Sequence, residues 1–396
     1  MLRHAFASRA ALLAGLTDDA RTHFESAIST LDTIAARWRM LLADACSHGD
    51  GSSRERLSGA GSAIAGAVAQ DHMAAEVLLV RARAAGRSAL ARQRAAMVAY
   101  EGVLGAALAG TPGGTALPPG VVRGIVGGMI EITAQALVSG EPAPRELARV
   151  LSSWALCFDG ADPGFRERVA ANLSANARGG GPKAGGLPVP RPPAAGDVRG
   201  RTLEAALRMA LEHDYQQLSA PELADRAGVA LEPFFDLFAD RDDCYRAALD
   251  ELAAELLAIV SPGTEAGWPS AVRPAIAGLL DHLADRPVSA LTLGHGALVA
   301  GESHGAHCAA IVAELARTLV RDAPEQELRE WAGTGIAGAI WHTIGCQAQR
   351  GRLQLLPLLA DQLCFVVLAP LIGAAEACVV ASTNAAACGE AVRPCT

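Results

Sequence analysis

Apolar residues recur at i, i+3 and i+4 through two long stretches of the chain, about 1–175 and 201–396, with almost no alternation at a period of two. That spacing puts the apolar side chains on one stripe of an α-helix, whereas a half-buried strand needs every second residue apolar. Both stretches are therefore predicted to be helical, and the fold class is all-α. Between them, Asn176 to Gly200 is dominated by Gly and Pro, so neither period survives; these residues are expected to form an exposed linker. The end of the chain, 382–396, is expected to be a disordered tail.

The two stretches share short matches in the same order. Phe6-Ala7-Ser8-Arg9 aligns with Phe238-Ala239-Asp240-Arg241, each followed by a helical pattern. Ala85-Gly86 aligns with Ala300-Gly301, and Gly128-Met129-Ile130 with Thr133 aligns with Gly338-Ala339-Ile340 with Thr343. Three matches in order, with comparable helical runs between them, predict two copies of one unit. The first copy is expected to lack most of its front, since Phe6 stands where Phe238 stands.

Composition changes this picture little, but it limits the chemistry. With 396 residues and 51% hydrophobic content there is material for two cores, and a net charge of −8 offers no basic excess. The charge is uneven: residues 1–170 carry +1, 171–200 carry +3 and 201–396 carry −12. Nine cysteines without paired spacing suggest neither a zinc ribbon nor a disulfide framework, so a reducing cytoplasm is expected. Met1 to Leu16 shows no targeting pattern. The apolar stretch Leu353 to Ala381 is broken by Asp361, Gln362, Pro370 and Glu376, which suits a buried helix pair better than a bilayer span, and no membrane segment is expected.

The most informative local pattern begins at Arg201. Leu203, Leu207 and Leu211 share one helical face, and Ser219-x-x-Glu222 then reads as a capping box with Pro221 in the first turn. Leu223, Ala224 and Ala227 form the buried stripe of that second helix. Gly228 supplies a tight turn into a third short helix from about Ala230 to Phe238, and Asp240 caps a fourth. These residues, with Ala205-Ala206, His213-x-Tyr215, Phe234-Phe235 and Arg241, resemble the helix-turn-helix DNA-binding domain of TetR-family (tetracycline-repressor-type) transcriptional regulators. The resemblance is strong at 201–250 and weaker along the rest of the chain.

It implies four further parts. Residues 1–175 would be a ligand-binding and dimerisation domain with a remnant head at 1–16, and 176–200 a linker. Residues 201–250 would be a complete DNA-binding head, and 251–381 a second ligand-binding and dimerisation domain. It further implies double-stranded DNA and a small apolar effector as partners, and dimerisation through helical domains, either within one chain as a pseudo-dimer or between chains as a homodimer. Its DNA-facing positions fall on Ser219, Arg226, Ala230, Leu231, Glu232, Pro233, Phe235 and Arg241. Several depart from the family pattern: Ala230-Leu231-Glu232-Pro233 stands where a Ser or Thr cap and polar or basic readers are usual, and Phe235 and Leu237 replace residues with polar tips. Val198 to Leu257 carries six Arg against 13 acids, while affinity for nucleic acid comes largely from neutralising phosphates. A degenerate regulator that binds ligands or protein partners is the rival reading.

Other constellations are weaker. Trp331, Ile340, Trp341, His342 and Cys346 lie on one apolar helical run and are candidates for an effector pocket, with plain core packing as the alternative. His304, His307 and Cys308 could meet at i, i+3 and i+4, yet no further ligand is evident, and no metal site or cofactor is expected. No phosphate loop, nucleophile elbow or catalytic triad spacing is present, so no enzyme is expected.

Overall fold

A computed structural model of the chain describes residues 18–47, 51–84, 87–109, 117–141, 143–162, 164–179, 197–212, 218–261, 267–299, 302–323 and 330–382. Among the described residues every regular element is a helix and no strand occurs. The first half comprises α1 (Asp18–Ser47), α2 (Ser53–Gln70), α3 (His72–Glu76), a π-helical segment (Val77–Arg81), α4 (Ala82–Ala84), α5 (Arg87–Ala109), α6 (Pro119–Ser139), α7 (Pro144–Leu156) and α8 (Phe165–Gly179). The second half opens with α9 (Val198–Glu212), α10 (Ala220–Ala227), α11 (Leu231–Leu237) and α12 (Arg241–Val260). It continues with α13 (Val272–Asp285), α14 (Pro287–Val299), α15 (Glu302–Leu319), α16 (Glu330–Gln349), a 3-10 segment (Leu353–Leu359), α17 (Ala360–Ile372) and α18 (Ala374–Ser382).

The linker expected over 176–200 is narrower at both ends. Helix α8 runs to Gly179, because the dense Gly and Pro content begins only there, and α9 starts at Val198, where Asp197 Oδ1 accepts the Gly200 N–H at 2.8 Å. Similarly, Ser382 belongs to α18 rather than to the tail. Residues 180–196, the candidate head remnant at 1–16, and 383–396 lie outside the described residues.

The core is built around α6. Its sequence is apolar on nearly every side, which a helix tolerates only when neighbours cover it all round. Fifteen of its residues, from Gly120 to Ala136, are buried. Pro119 supplies a pre-set φ at its start, and Gly140, at φ 76°, closes its end. By length and composition both Pro119–Ser139 and Leu353–Ile372 are apolar enough to cross a bilayer; here 83% and 67% of their most apolar windows are buried within the protein.

Helix α6 crosses α16 at glycines. A Cβ on Gly127 would lie 2.8 Å from the Gly338 carbonyl oxygen, so the two backbones are in contact. The flanking contacts recur with the halves exchanged. First-half α6 meets second-half α17, where Gly120 N–H donates to Gln362 Oε1 at 2.7 Å and Gly124 seats Val366. Second-half α16 meets first-half α7, where fully buried Trp154 packs on Gly335 and stands edge-on to Trp331, with centroids 6.2 Å apart. Helices α6, α7, α16 and α17 thus form a four-helix layer contributed equally by the two halves. Polar contacts extend the seam: Arg94 of α5 donates to the Gly294 carbonyl of α14, and Asn172 of α8 donates to Asp361 at 2.8 Å. Asp361 also holds Arg273 at 2.6 Å.

Helices α9, α10 and α11 form a small three-helix head resting on α12. Leu203, Ala206, Ala210, Leu223, Phe234 and Phe238 fill its interior.

Candidate functional site

The head has the local chemistry its sequence predicts. Ser219 Oγ accepts the Glu222 N–H at 3.4 Å, while the Glu222 carboxylate accepts from Ser219 N–H at 2.8 Å, completing the capping box at the start of α10. Gly228 takes φ 64°, the left-handed geometry that ends α10 and turns the chain into α11. Phe234 anchors α11 inward, 5.5 Å from Phe238, and Asp240 caps α12 by accepting the Asp243 N–H at 2.8 Å.

The eight candidate DNA-facing residues fall on three parts of this head. Ser219 and Arg226 lie at the two ends of α10. Ala230, Leu231, Glu232, Pro233 and Phe235 lie on or just before α11, and Arg241 opens α12. The outward surface of α11 is apolar and acidic: Leu231, Phe235 and Leu237 are 42%, 50% and 42% exposed, Glu232 and Asp236 are also exposed, and the helix carries no basic residue. The flanking arginines are engaged within the head, Arg226 with Glu212 at 2.8 Å and Arg241 with the Leu218 carbonyl.

The five effector-pocket candidates share α16 but do not line one pocket. Ile340 is fully buried in the core, and Trp331 borders an open groove between α6, α7 and α16. Trp341 and His342 reach a cavity of about 40 Å³ at the seam, which Arg83, Gln93, Arg94 and Glu131 also line. Such a space takes a water or two, far below the roughly 300 Å³ of an ordinary small-molecule site.

Cys346 belongs instead with His342 in a buried polar cluster. His342 Nε2 lies 2.7 Å from Glu101 Oε1, and Cys346 Sγ lies 3.8 Å from that oxygen and 3.7 Å from His342 Nε2. Arg123 Nε is 3.3 Å from the other Glu101 oxygen. His342 and Cys346 are one turn apart on α16, Glu101 comes from α5 and Arg123 from α6, so both halves build the cluster. Burial works against charge on all three acid-base groups, and their mutual contacts override it. The His342 hydrogen bond and the charges of His342, Arg123 and Arg350 hold the Glu101 carboxyl below its usual range. Cys346 and Glu101 raise His342 to about 9, and His342, with Arg123 behind it, lowers Cys346.

Glu101 and Arg123 were not legible as site residues, because nothing in the spacing links position 101 to position 342; the signal available was His342 and Cys346 at i and i+4. The other histidine group does not converge. His304 stacks edge-on against Tyr245 at 5.0 Å, His307 Nε2 lies 3.0 Å from Asp250, and Cys308 is buried with its sulfur toward the Thr292 carbonyl. No protein-family model matches the sequence, and no curated protein matches it.

Proposed function

We propose that the chain is a TetR-type transcriptional regulator that engages duplex DNA through the 201–250 head and is modulated by a small ligand in its helical bodies. The single observation that carries this reading is the geometry of the head: a capped α10, a left-handed glycine turn, and an α11 anchored by Phe234 while its opposite face stays exposed. A helix held this way can enter a major groove. The backbone N–H groups at the start of α10 and the side chains of Arg226 and Arg241 would meet phosphates on either side. A ligand preferring one spacing of head and body would shift the population toward it and so change operator affinity. The seam cavity is too small for an effector, and the open groove between α6, α7 and α16 that Trp331 borders is the roomier space for one. The proposed compartment is the cytoplasm, and no catalytic step is part of the reading.

Gel-shift titration of the full chain with genomic fragments tests it. A specific complex that weakens with added salt is expected; failure to retard any fragment at low salt overturns the reading.

A second reading, a regulator-like protein that binds partners instead of DNA, is favoured by one observation. The outward face of α11 pairs Leu231, Phe235 and Leu237 with Glu232 and Asp236, a surface that repels phosphates and suits a protein contact. In the cell, target expression unaffected by Arg226→Gln would favour this reading over the first.

A further inference from the structure

We propose that Glu101, His342 and Cys346 form a binding site for a divalent transition cation of the zinc class, placed so that the ion ties the two halves of the chain together. The proposal concerns the seam and does not depend on whether the head binds DNA.

The donor set is the first argument. One carboxylate oxygen, one imidazole nitrogen and one thiol sulfur are mixed hard and borderline-soft ligands, a combination that suits zinc and its neighbours better than magnesium or calcium. Among the described residues, this is the one set of three such side chains whose donor atoms converge.

Geometry is the second argument. The three atoms are separated by 2.7, 3.7 and 3.8 Å. A point equidistant from all three lies about 2 Å from each, close to the roughly 2.0–2.3 Å bonds that zinc makes to nitrogen, oxygen and sulfur. Cys346 Sγ is also 3.7 Å from His342 Nδ1, so the sulfur stands off the Nε2 lone pair; a tetrahedral ion needs the His342 ring to turn as well as to part from Glu101 by about half an ångström, replacing their hydrogen bond with two metal bonds.

The surroundings are the third. Arg123 Nε stands 3.3 Å from the second Glu101 oxygen as an ion pair outside hydrogen-bond geometry, and Oε1 is the oxygen turned toward His342 and Cys346. Carboxylate plus thiolate balances the charge of a divalent ion, so loading leaves no added charge in the interior. The imidazole and thiol protons go to solvent as the ion enters. In the register that matches Thr133 with Thr343, the first-half positions corresponding to His342 and Cys346 are Ile132 and Ala136, so the site is built once per chain.

The test uses the purified full chain, stripped with chelator and titrated with Co²⁺ and then Zn²⁺. The expected result is one equivalent of cobalt giving a thiolate-to-cobalt charge-transfer band and tetrahedral ligand-field bands, which one equivalent of zinc displaces. Cys346→Ser should abolish the charge-transfer band, Glu101→Gln should weaken binding by tenfold or more, and Cys308→Ser should leave both unchanged, with helicity monitored throughout. No thiolate band in the unaltered chain, or one surviving in Cys346→Ser, overturns the proposal. Should Cys346→Ser fail to fold, X-ray absorption on the zinc-loaded unaltered chain decides: one sulfur in the coordination shell supports the site, and a sulfur-free shell overturns it.

Discussion

Gly127 of α6 and Gly338 of α16 meet backbone to backbone: a Cβ on Gly338 would lie 2.5 Å from the Gly127 carbonyl oxygen, and one on Gly127 would lie 2.8 Å from that of Gly338. Because the obstacle is main chain, no rotamer change relieves it. Gly338→Ala should therefore cost about 1–3 kcal/mol, as overpacking does in other cores, seen as a lower urea midpoint with the same slope. Gly333, on the same helix with nothing within 4 Å of its missing Cβ, is the control. Gly333→Ala should be neutral or stabilising by roughly 0.5–1 kcal/mol through helix propensity.

Trp154 fills the space between the halves. It is fully buried, its Nε1–H donates to the Ile125 carbonyl at 2.9 Å, and it packs on Gly128 and Gly335 from opposite halves. Trp154→Ala should cost about 3–5 kcal/mol, measured by chemical denaturation, and Trp154→Phe distinctly less.

Ser219 acts on the head alone. Its replacement by Ala removes one side of the capping box and should cost about 1 kcal/mol. Amide exchange should quicken in α10 and α11 while α6 and α16 keep their protection.

His282 makes stability depend on pH. Burial first, and then Arg286, lower its pKa from 6.5 to about 4, with Asp285 opposing. Glu255 lies 3.7 Å away, and burial pushes it up in turn, so it compensates poorly. The unfolded imidazole gains its proton near pH 6.5 while the folded one resists until about 4. The contribution is full above pH 6.5 and is lost as pH falls to about 4, amounting to at most about 3 kcal/mol. Denaturation midpoints between pH 7 and 4 should fall more steeply for the unaltered chain than for His282→Gln.

Arg226 is the exposed cation at the end of α10, paired with Glu212. If the head grips a duplex, Arg226→Gln should weaken binding to all sequences alike and reduce the slope of log affinity against log salt by about 1. A changed sequence preference with an unchanged slope would assign the side chain to base reading instead.

How far the molecule could be read in advance follows from how local each signal is. The Ser219 and Asp240 caps and the Gly228 turn depend on neighbours within four residues, and they stand where the sequence places them. The linker edges shifted because helix propensity persists into Asn176 to Arg178 and because Asp197 starts α9 before the apolar period becomes visible. The π-helical turn at Val77–Arg81 and the 3-10 segment at Leu353–Leu359 left no mark in the apolar spacing. The Glu101 and His342 pairing was the least legible. Their separation of 241 positions is bridged only by the packing of α5 and α6 against α16, which no local pattern encodes.

An α6 and α16 joined by peptide bonds cannot drift apart by dilution. Closure of the four-helix layer is a unimolecular event, so its melting temperature should not move with protein concentration, as that of a two-chain bundle does. Covalent joining also frees the two faces from having to be identical. A substitution on α16 is not automatically copied onto α6, as it would be in a symmetric pair, so α16 can carry His342 and Cys346 where α6 carries Ile132 and Ala136.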